Sequence, residues 1–376
     1  MFRDLPAARS NDVSDFQAMT EKNGPMAMVA SHEIGRRRAS LTIRDVARAA
    51  NVSVGTVSKA LNNSGRLRQE TRDKIIVVAR ELGFRPNDLA QSLHRGQSLT
   101  VGLISTDAFG RFTIPIMEGI EACLSDSRMA VLMCNATDDP GREAHHVEQL
   151  MGKRVDGIIV TARRADKRER LVSPGHIPVI YVFAQVEGAD ACCLMPDDEG
   201  GAMLAVRHLV KLGRRRIAHV TGPERFEAVR LRRDGYRRAL AEAGLSELDG
   251  DYLPGVWSEG WGREAVATLF NSRRAHPDAI FCGSDQIARG VADALRERGL
   301  HVPDAVALVG FDNWEIIADA TRPPLTSVDM NLVELGREGG RRMLDLIAGK
   351  QWKGVDRLPC SLIVRQSCGA NRVPRT

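Results

Sequence analysis

The sequence predicts a two-part protein, a small all-α helix-turn-helix headpiece followed by a large α/β body of two lobes. Three observations carry that expectation. Residues 41–86, LTIRDVARAANVSVGTVSKALNNSGRLRQETRDKIIVVARELGFRP, hold three helix-like segments with a short break after the first. After Gly96 short apolar runs alternate with helical stretches, the rhythm of parallel strands joined by helices. Charge is segregated as well. Residues 36–95 carry thirteen Lys/Arg against five Asp/Glu, a local net of +8 in a chain whose total is +5, so the remainder is net −3. A basic head on a mildly acidic body is the distribution expected when only the head meets phosphate.

The 376 residues suffice for one small domain and one large one, and 43% apolar content supports substantial cores. No uncharged apolar run is long enough for a membrane span, and no secretory h-region stands near the start. Seven cysteines without CxxC spacing fit a reducing cytoplasm better than a disulfide framework. Residues 1–38 are polar, short of aromatics and aperiodic, the composition of a disordered extension.

The headpiece is expected over 39–86. Thr42 precedes the stripe Ile43, Val46, Ala47 and Ala50, and Asp45 completes a capping-box-like start. Asn51 and Val52 turn the chain. Ser53 then caps a second helix with Val57, Ala60 and Leu61 facing inward. A third helix over Gln69–Leu82 buries Ile75, Val78, Ala79 and Leu82, with Gly83 as its C′ residue and Pro86 as a stop. The outer face of the second helix presents Val54, Gly55 and Lys59, flanked by the hydroxyls of Ser53, Thr56 and Ser58. Bases are read at groove edges while phosphates position the protein. Val54 suits a thymine methyl, and Lys59 suits guanine O6 or N7, or a phosphate. Gly55 is costly inside a helix, which points either to close approach of DNA or to a tolerated surface position. Asn87–Leu93 has helix formers for only two turns, marginal alone in water. It is either an element ordered by binding or a linker.

In the body, strands are expected at Thr100–Ile104, Ala130–Cys134, Gly157–Val160, Val179–Val182, Arg216–Val220, Ala279–Cys282 and Ala307–Gly310. Helices are expected at Ile114–Ala122, Glu143–Met151, Gly201–Leu212, Arg230–Glu242, Gly262–Leu269 and Gln286–Arg298. Two units of about six strands each leave a cleft beyond the strand C-termini, where open α/β sheets bind ligands. Asp107, Ser284, Asp285 and Asp312 sit just after strands, and Arg232 lies in the helix after GPERFEAVR. Acids facing an arginine suit a polyol, and Phe109, Trp257 and Trp314 can stack on an apolar sugar face. Each has a plainer role open to it, the acids as caps and the aromatics as core. No histidine stands at these strand ends, and there is no nucleophile elbow, GxGxxG after a strand, or HExxH. No enzyme, cofactor or metal site is therefore expected.

The run TIRDVARAANVSVGTVSKALN resembles the signature of the lac repressor family of bacterial transcription regulators (LacI/GalR type). The resemblance continues through RPNDLAQSLHRG and nearly all of the remaining chain. It implies that Ser53–Leu61 enters the major groove with Val54 and Gly55 at the base-reading positions and Lys59 where an arginine is usual. On the same alignment Thr42, Asn62, Asn87 and Ala90 join the DNA contacts. Residues 87–97 become a hinge helix and linker, with Leu93 as a minor-groove wedge. The usual serine cap before the third helix is Arg68 here.

Residues 98–376, through RVDGIIV, RRDGYRRALAEAG and PPLTSVD, resemble the family's periplasmic-binding-protein-like effector domain. The implied lobes are 99–196 plus 328–355 and 197–327 plus 356–376, with crossings near Asp197, Leu325 and Asp356. Arg232 matches a ligand-clamping arginine, Asp312 a ligand-binding aspartate, Ser284 a position often asparagine in sugar-binding members, and Asp107 a polar pocket position. The resemblance implies a repressor-like regulator that binds operator DNA and a small molecule, such as a sugar or sugar derivative. It also implies a homodimer formed through Ile114–Ser125 and Gln286–Arg298. A non-sugar metabolite or a phosphorylated protein as the controlling partner, and a solute-binding module without gene control, are the alternatives.

Overall fold

The computed structural model describes residues 41–62, 64–84, 96–107, 110–163, 167–171, 177–188, 190–271 and 275–370. The chain divides into two compact units, 1–87 and 88–376. The N-terminal extension, the hinge segment with Asn87, Ala90 and Leu93, and Phe109 lie outside the described residues.

The headpiece is three helices, α1 (Ile43–Ala50), α2 (Val54–Leu61) and α3 (Gln69–Glu81). Thr42 donates from both its backbone N and its Oγ1 to Asp45 Oδ2, at 2.9 and 2.7 Å. Asn51 ends α1 in the left-handed region, φ 54°, a conformation asparagine tolerates better than most residues. Ser53 then caps α2, its Oγ accepting from Thr56 N at 3.1 Å. Val46, Ala47, Ala50, Val57, Ala60, Ile75 and Ala79 form the core, with Val78 and Leu82 only partly buried at its margin. Arg68 supplies no side-chain cap to α3. Gly83, φ 68°, follows that helix in the left-handed conformation expected of a C′ glycine.

The body is built on two six-stranded sheets. The first has the order Ala130–Asn135 (β2), Thr100–Ser105 (β1), Gly157–Thr161 (β3), Val179–Val182 (β5), Cys192–Pro196 (β7) and Gly354–Leu358 (β13), all parallel. The second runs Tyr252–Pro254 (β9), Ile217–Thr221 (β8), Ala279–Cys282 (β10), Ala307–Asp312 (β11), Thr326–Asp329 (β12) and Ser361–Ile363 (β14), with β14 antiparallel. Lys167–Arg168 (β4) and Gln185–Val186 (β6) form a small separate ladder.

Two of the expected lobe boundaries move. Thr326–Asp329 pairs with β11 in the second sheet, so the second crossing falls after Asp329, at Met330–Asn331, and not near Leu325. Gly354–Leu358 pairs with β7 in the first sheet, so the third crossing falls at Pro359–Cys360 and not at Asp356. Both errors have one cause. These strands are short and polar, and their pairing partners, not their own sequence, fix which sheet they join.

Helices pack in close pairs over these sheets. Thr113–Ser125 (α4) lies against Leu332–Ile347 (α11), with Gly119 facing the Val333 carbonyl and Gly336 facing the Ile116 carbonyl so closely that a Cβ at either would overlap backbone. The Glu259–Phe270 helix (α8) and Asp285–Glu297 (α9) repeat the device, with Gly262 on Ile287 O and Gly290 on Glu259 O. The α9 helix is therefore largely buried within its own chain and turns Arg289, Asp293 and Arg296 outward as ion pairs. The helix Thr113–Ser125 leaves Ile114 half exposed. No helix among the described residues is long and apolar enough to cross a membrane.

Gly119→Ala should lower stability in chemical denaturation by about 3 kcal/mol, because neither backbone can yield. Gly152→Ala, where nothing lies within 4 Å of the added carbon, should be neutral or stabilising by up to about 1 kcal/mol. Equal effects from the two substitutions would show that the helix pair is not close-packed.

Candidate functional site

In the headpiece, Ser53, Val54, Gly55, Lys59 and Asn62 are exposed and Thr56 and Ser58 half-buried. The turn of α2 thus offers an apolar patch at Val54, a bare backbone at Gly55 and one ammonium. A Cβ at Gly55 would meet only Ser53 Oγ, at 3.8 Å, so the headpiece's own packing does not require glycine there. Ser53 Oγ lies 2.8 Å from Thr56 Oγ1, and Asn62 Nδ2 donates to Ser58 Oγ at 3.3 Å. Arg72 of α3 donates to the Lys59 and Ala60 carbonyls at the end of α2, each at 3.4 Å, which locks the tilt of one helix to the other.

In the body, the second sheet's strand ends converge on Arg232, which lies in the helix Glu227–Glu242 (α7) with its side chain 6% exposed. A buried guanidinium stays charged and must be bonded. Its Nε and Nη2 meet Asp198 Oδ1 at 2.8 and 2.7 Å, and Nη1 donates to the Gly283 carbonyl. Its carbon stands 3.6 Å from the Phe311 ring centre. Asp312 Oδ1 is 3.8 Å from Nη1. Asp198 opens the helix Asp198–Lys211 (α6), and burial lifts its carboxyl above the ordinary range while Arg232 opposes the shift.

The second charge pair joins the lobes. Arg111, on the loop between β1 and α4, places Nη2 in a short contact with Asp312 Oδ2. Its guanidinium lies 4.5 Å from the Trp314 ring centre and 4.8 Å from that of Phe112. Phe112 stacks in turn on Phe183, centres 5.0 Å apart. The Arg111 cation thus lies against two aromatic rings where the lobes meet, contacts favoured by the ring quadrupoles.

Asp312 and Asn313 hold positive φ, 105° and 48°. Such backbone costs of order 1–3 kcal/mol per residue and persists only where its surroundings fix it. Here they do. Trp314 N donates to Asp285 Oδ2 at 2.7 Å, Ser327 Oγ donates to Asp285 Oδ1 at 2.5 Å, and Asn313 N donates to Ser327 Oγ at 3.1 Å. The Asn313 side chain donates to Asp329 Oδ2 at 3.0 Å and accepts from Arg365 at 2.9 Å.

The site residues expected from sequence therefore separate. Arg232, Asp312 and Trp314 come together at the cleft. Asp107 does not present its Oδ2 to a ligand, because that oxygen accepts from the Phe112 and Thr113 backbones and starts α4. Ser284 caps α9, accepting from Ile287 N at 3.3 Å. Asp285 holds the Asp312–Trp314 loop, and burial together with the neighbouring Asp312 charge pushes its carboxyl up to about 8. Trp257 lies flat on Gly222 and stacks on Phe226, 6.4 Å away. Sequence reasoning missed Arg111, Asp198 and Asn313. A buried arginine demands an acid, which could have pointed to PDDEGG, and a lone charge between aromatics in FGRF could have pointed to Arg111. Among the described residues no cluster of His, Cys, Asp and Glu could hold a metal ion.

Fold and site define a DNA-binding headpiece coupled to a periplasmic-binding-protein-type body. The model for bacterial regulatory proteins of the lacI family matches residues 42–87, and that for a periplasmic binding protein-like domain matches 206–368. The ribose operon repressor of Escherichia coli is 33% identical over 78% of this chain and 89% of its own length. Catabolite control protein A of Priestia megaterium is 32% identical over 87% and 99%. Among solved structures, the lac repressor dimer bound to operator and the anti-inducer ONPF is 27% identical, covers 87% of this chain and 99% of its own, and superposes with a TM-score of 0.69. The transcriptional regulator CelR in complex with cellobiose has the same identity and coverage and a TM-score of 0.59. The chain belongs to the lacI family of bacterial regulatory proteins. It is a non-catalytic, sequence-specific DNA-binding regulator.

Arg232→Ala should destabilise the body by about 3–5 kcal/mol, since it strands the Asp198 charge. The Arg232→Ala/Asp198→Ala double variant should recover part of that loss. Additive losses in denaturant titrations would refute the pairing. For Asp285 the folded state holds its proton over a range where the unfolded chain has lost it. Stability from this group is therefore present below pH about 4 and lost as pH rises to about 8. Asp285→Asn should flatten that part of the denaturation-midpoint profile, and an unchanged slope would place the proton elsewhere.

Proposed function

We propose that the protein is a homodimeric repressor whose grip on a near-palindromic operator is set by a carbohydrate or carbohydrate derivative taken into the cleft between the lobes. The observation that carries the reading is the meeting of Arg111 and Asp312 across the lobes, against aromatic rings and beside Arg232. Flat apolar rings next to charged hydrogen-bonding groups suit a sugar, whose faces are apolar and whose rim is hydroxyl. The relatives' names, a ribose operon repressor and a regulator holding cellobiose, support the same class.

A guest at this place changes operator affinity only through differential binding to two lobe arrangements. Rotation about the three crossings would reposition the hinge segment, with Asn87, Ala90 and Leu93 at the operator centre. Two heads, one per half-site, would set Val54, Gly55 and Lys59 against base edges, with Ser53, Thr56, Ser58 and Asn62 nearby. Ile114 on the outer face of α4 and Met133 on edge strand β2 supply exposed apolar surface for the dimer.

Selection from random duplexes followed by footprinting tests the reading. A palindromic site should emerge, and a sugar should move its binding midpoint. Failure to select any site, or indifference to every small molecule, sinks it. Replacing the contacted thymine by uracil should weaken the wild type about tenfold, on the order of 1 kcal/mol, and leave Val54→Ala unaffected. Wild-type indifference to the missing methyl would remove Val54 from base reading. Leu93→Ala should weaken specific binding more than non-specific binding, and equal weakening would end the wedge assignment.

A further inference from the structure

We propose that the effector is an acid, a polyhydroxylated molecule whose single carboxylate binds Arg111 while its hydroxyls bind Asp312. This deepens the reading above and rests on the interlobe cleft being the effector site.

The argument starts from what Arg111 has bonded. Its guanidinium carbon lies 4.5 Å from the Trp314 ring centre and 4.8 Å from that of Phe112. A planar guanidinium hydrogen-bonds through its edges. Nε and Nη2 point in parallel from the side edge, the pair of donors that a carboxylate takes with two parallel bonds. Asp312 takes one of them. Its Oδ2 meets Nη2, while its Oδ1 is turned toward Arg232, 3.8 Å away. Arg111 Nε is buried, and no described residue accepts from it. The internal pair thus leaves half of the fork unused.

The cost of parting the pair decides the class of guest. Arg111 and Asp312 are 17% and 7% exposed, so a molecule that separates them must replace both partners or leave a charge unpaired in a dry place. A neutral polyol gives donors to Asp312 but offers Arg111 only hydroxyl oxygens. A carboxylate next to hydroxyls satisfies both, and it takes up the Nε that Asp312 leaves. A phosphate ester fits less well. It brings close to two negative charges, whereas the charge of Arg232 is already matched by Asp198. One cation is on offer for one negative charge.

The test uses the full-length protein in thermal-shift and calorimetric titrations against gluconate, glucuronate and galacturonate. Glucose, galactose, sorbitol and glucose 6-phosphate serve as comparisons. At least one of the acids should raise the midpoint and bind, and its neutral counterpart should not. Arg111→Gln should weaken that acid at least about thirtyfold, the loss expected when one partner of a buried charge pair is truncated. Arg111→Lys, which keeps the charge without the fork, should recover part of the affinity. Far-UV circular dichroism and a single cooperative melt check that both variants fold; the ligand-free midpoint of Arg111→Gln should itself fall, because Asp312 loses its partner. Tighter binding of a neutral sugar or of the phosphate ester, or acid affinity unchanged in Arg111→Gln, overturns the inference and leaves the carbohydrate-effector reading standing. No binding by any of the seven compounds overturns the inference, and operator binding indifferent to every other sugar as well would overturn the carbohydrate reading with it.

Discussion

A guanidinium that cannot lose its charge, buried where two lobes meet, constrains the whole body. Arg232 fixes four separate pieces of chain. It bonds Asp198 just past the first crossing, the Gly283 carbonyl beyond β10, the ring of Phe311 at the end of β11, and Met330 Sδ at the second crossing, 3.9 Å from Nη2. Each contact answers the same need, because an isolated ion in this interior would cost several kcal/mol. Satisfying that charge draws the ends of the second sheet toward a single point. The left-handed turn at Asp312 follows from that convergence and from Asp285 holding the loop beyond it.

From Asp312 a continuous set of hydrogen bonds runs to the lobe crossings. Asn313 donates to Asp329, and Asp329 Oδ1 accepts from Asn331 N at 2.7 Å. Asn331, at the second crossing, donates from Nδ2 to the Pro359 carbonyl at 2.8 Å and accepts from Ser361 Oγ at 3.1 Å, both beside the third crossing. The first crossing is laced to the third by Asp197 N on the Leu358 carbonyl at 2.8 Å, and by Cys360 Sγ on the Asp197 carbonyl at 3.3 Å. Both asparagines in this path hold left-handed backbone, φ 48° and 52°. There a short amide side chain can hydrogen-bond locally while the backbone stays at modest strain. The Asp312 loop is thus joined to hinge backbone by a contiguous hydrogen-bonded path, a route along which a two-state lobe movement would be felt at both places.

Much of this was legible in the sequence, and the limits have physical causes. Headpiece signals are local. The Thr42–Asp45 start, the Asn51 turn and the Ser53 cap each depend on residues three or four apart. The central strands of both sheets are contiguous apolar runs and read clearly. Strands at the seam, TSVD, GVDRL and SLI, do not, because distant partners define them. Helix α11 was not among the helices read from periodicity. Its Gly336, Gly339 and Gly340 look like breakers in isolation, yet in the fold Gly336 is what lets α11 touch α4. In the cleft, the strand-end acids were legible by position but not by direction. Asp107 and Ser284 turn to cap helices, a role that needs only the next few residues. Arg111 was hidden because its acid lies 201 residues away.

The two arginines divide the work of the cleft by how fully each is bonded. Arg232 bonds groups of its own lobe and the seam, so it belongs to the architecture. Arg111 reaches the opposite lobe through one bond at one edge, so on the proposed reading it is the cation a guest would win. An internal acid already sits on that edge, and every guest would be measured against it. That competition would lower affinity most for those that cannot replace the acid, so selectivity would arise from an occupied site as much as from new contacts. A guest that displaced Asp312 from Arg111 would remove one of the bonds that join the lobes.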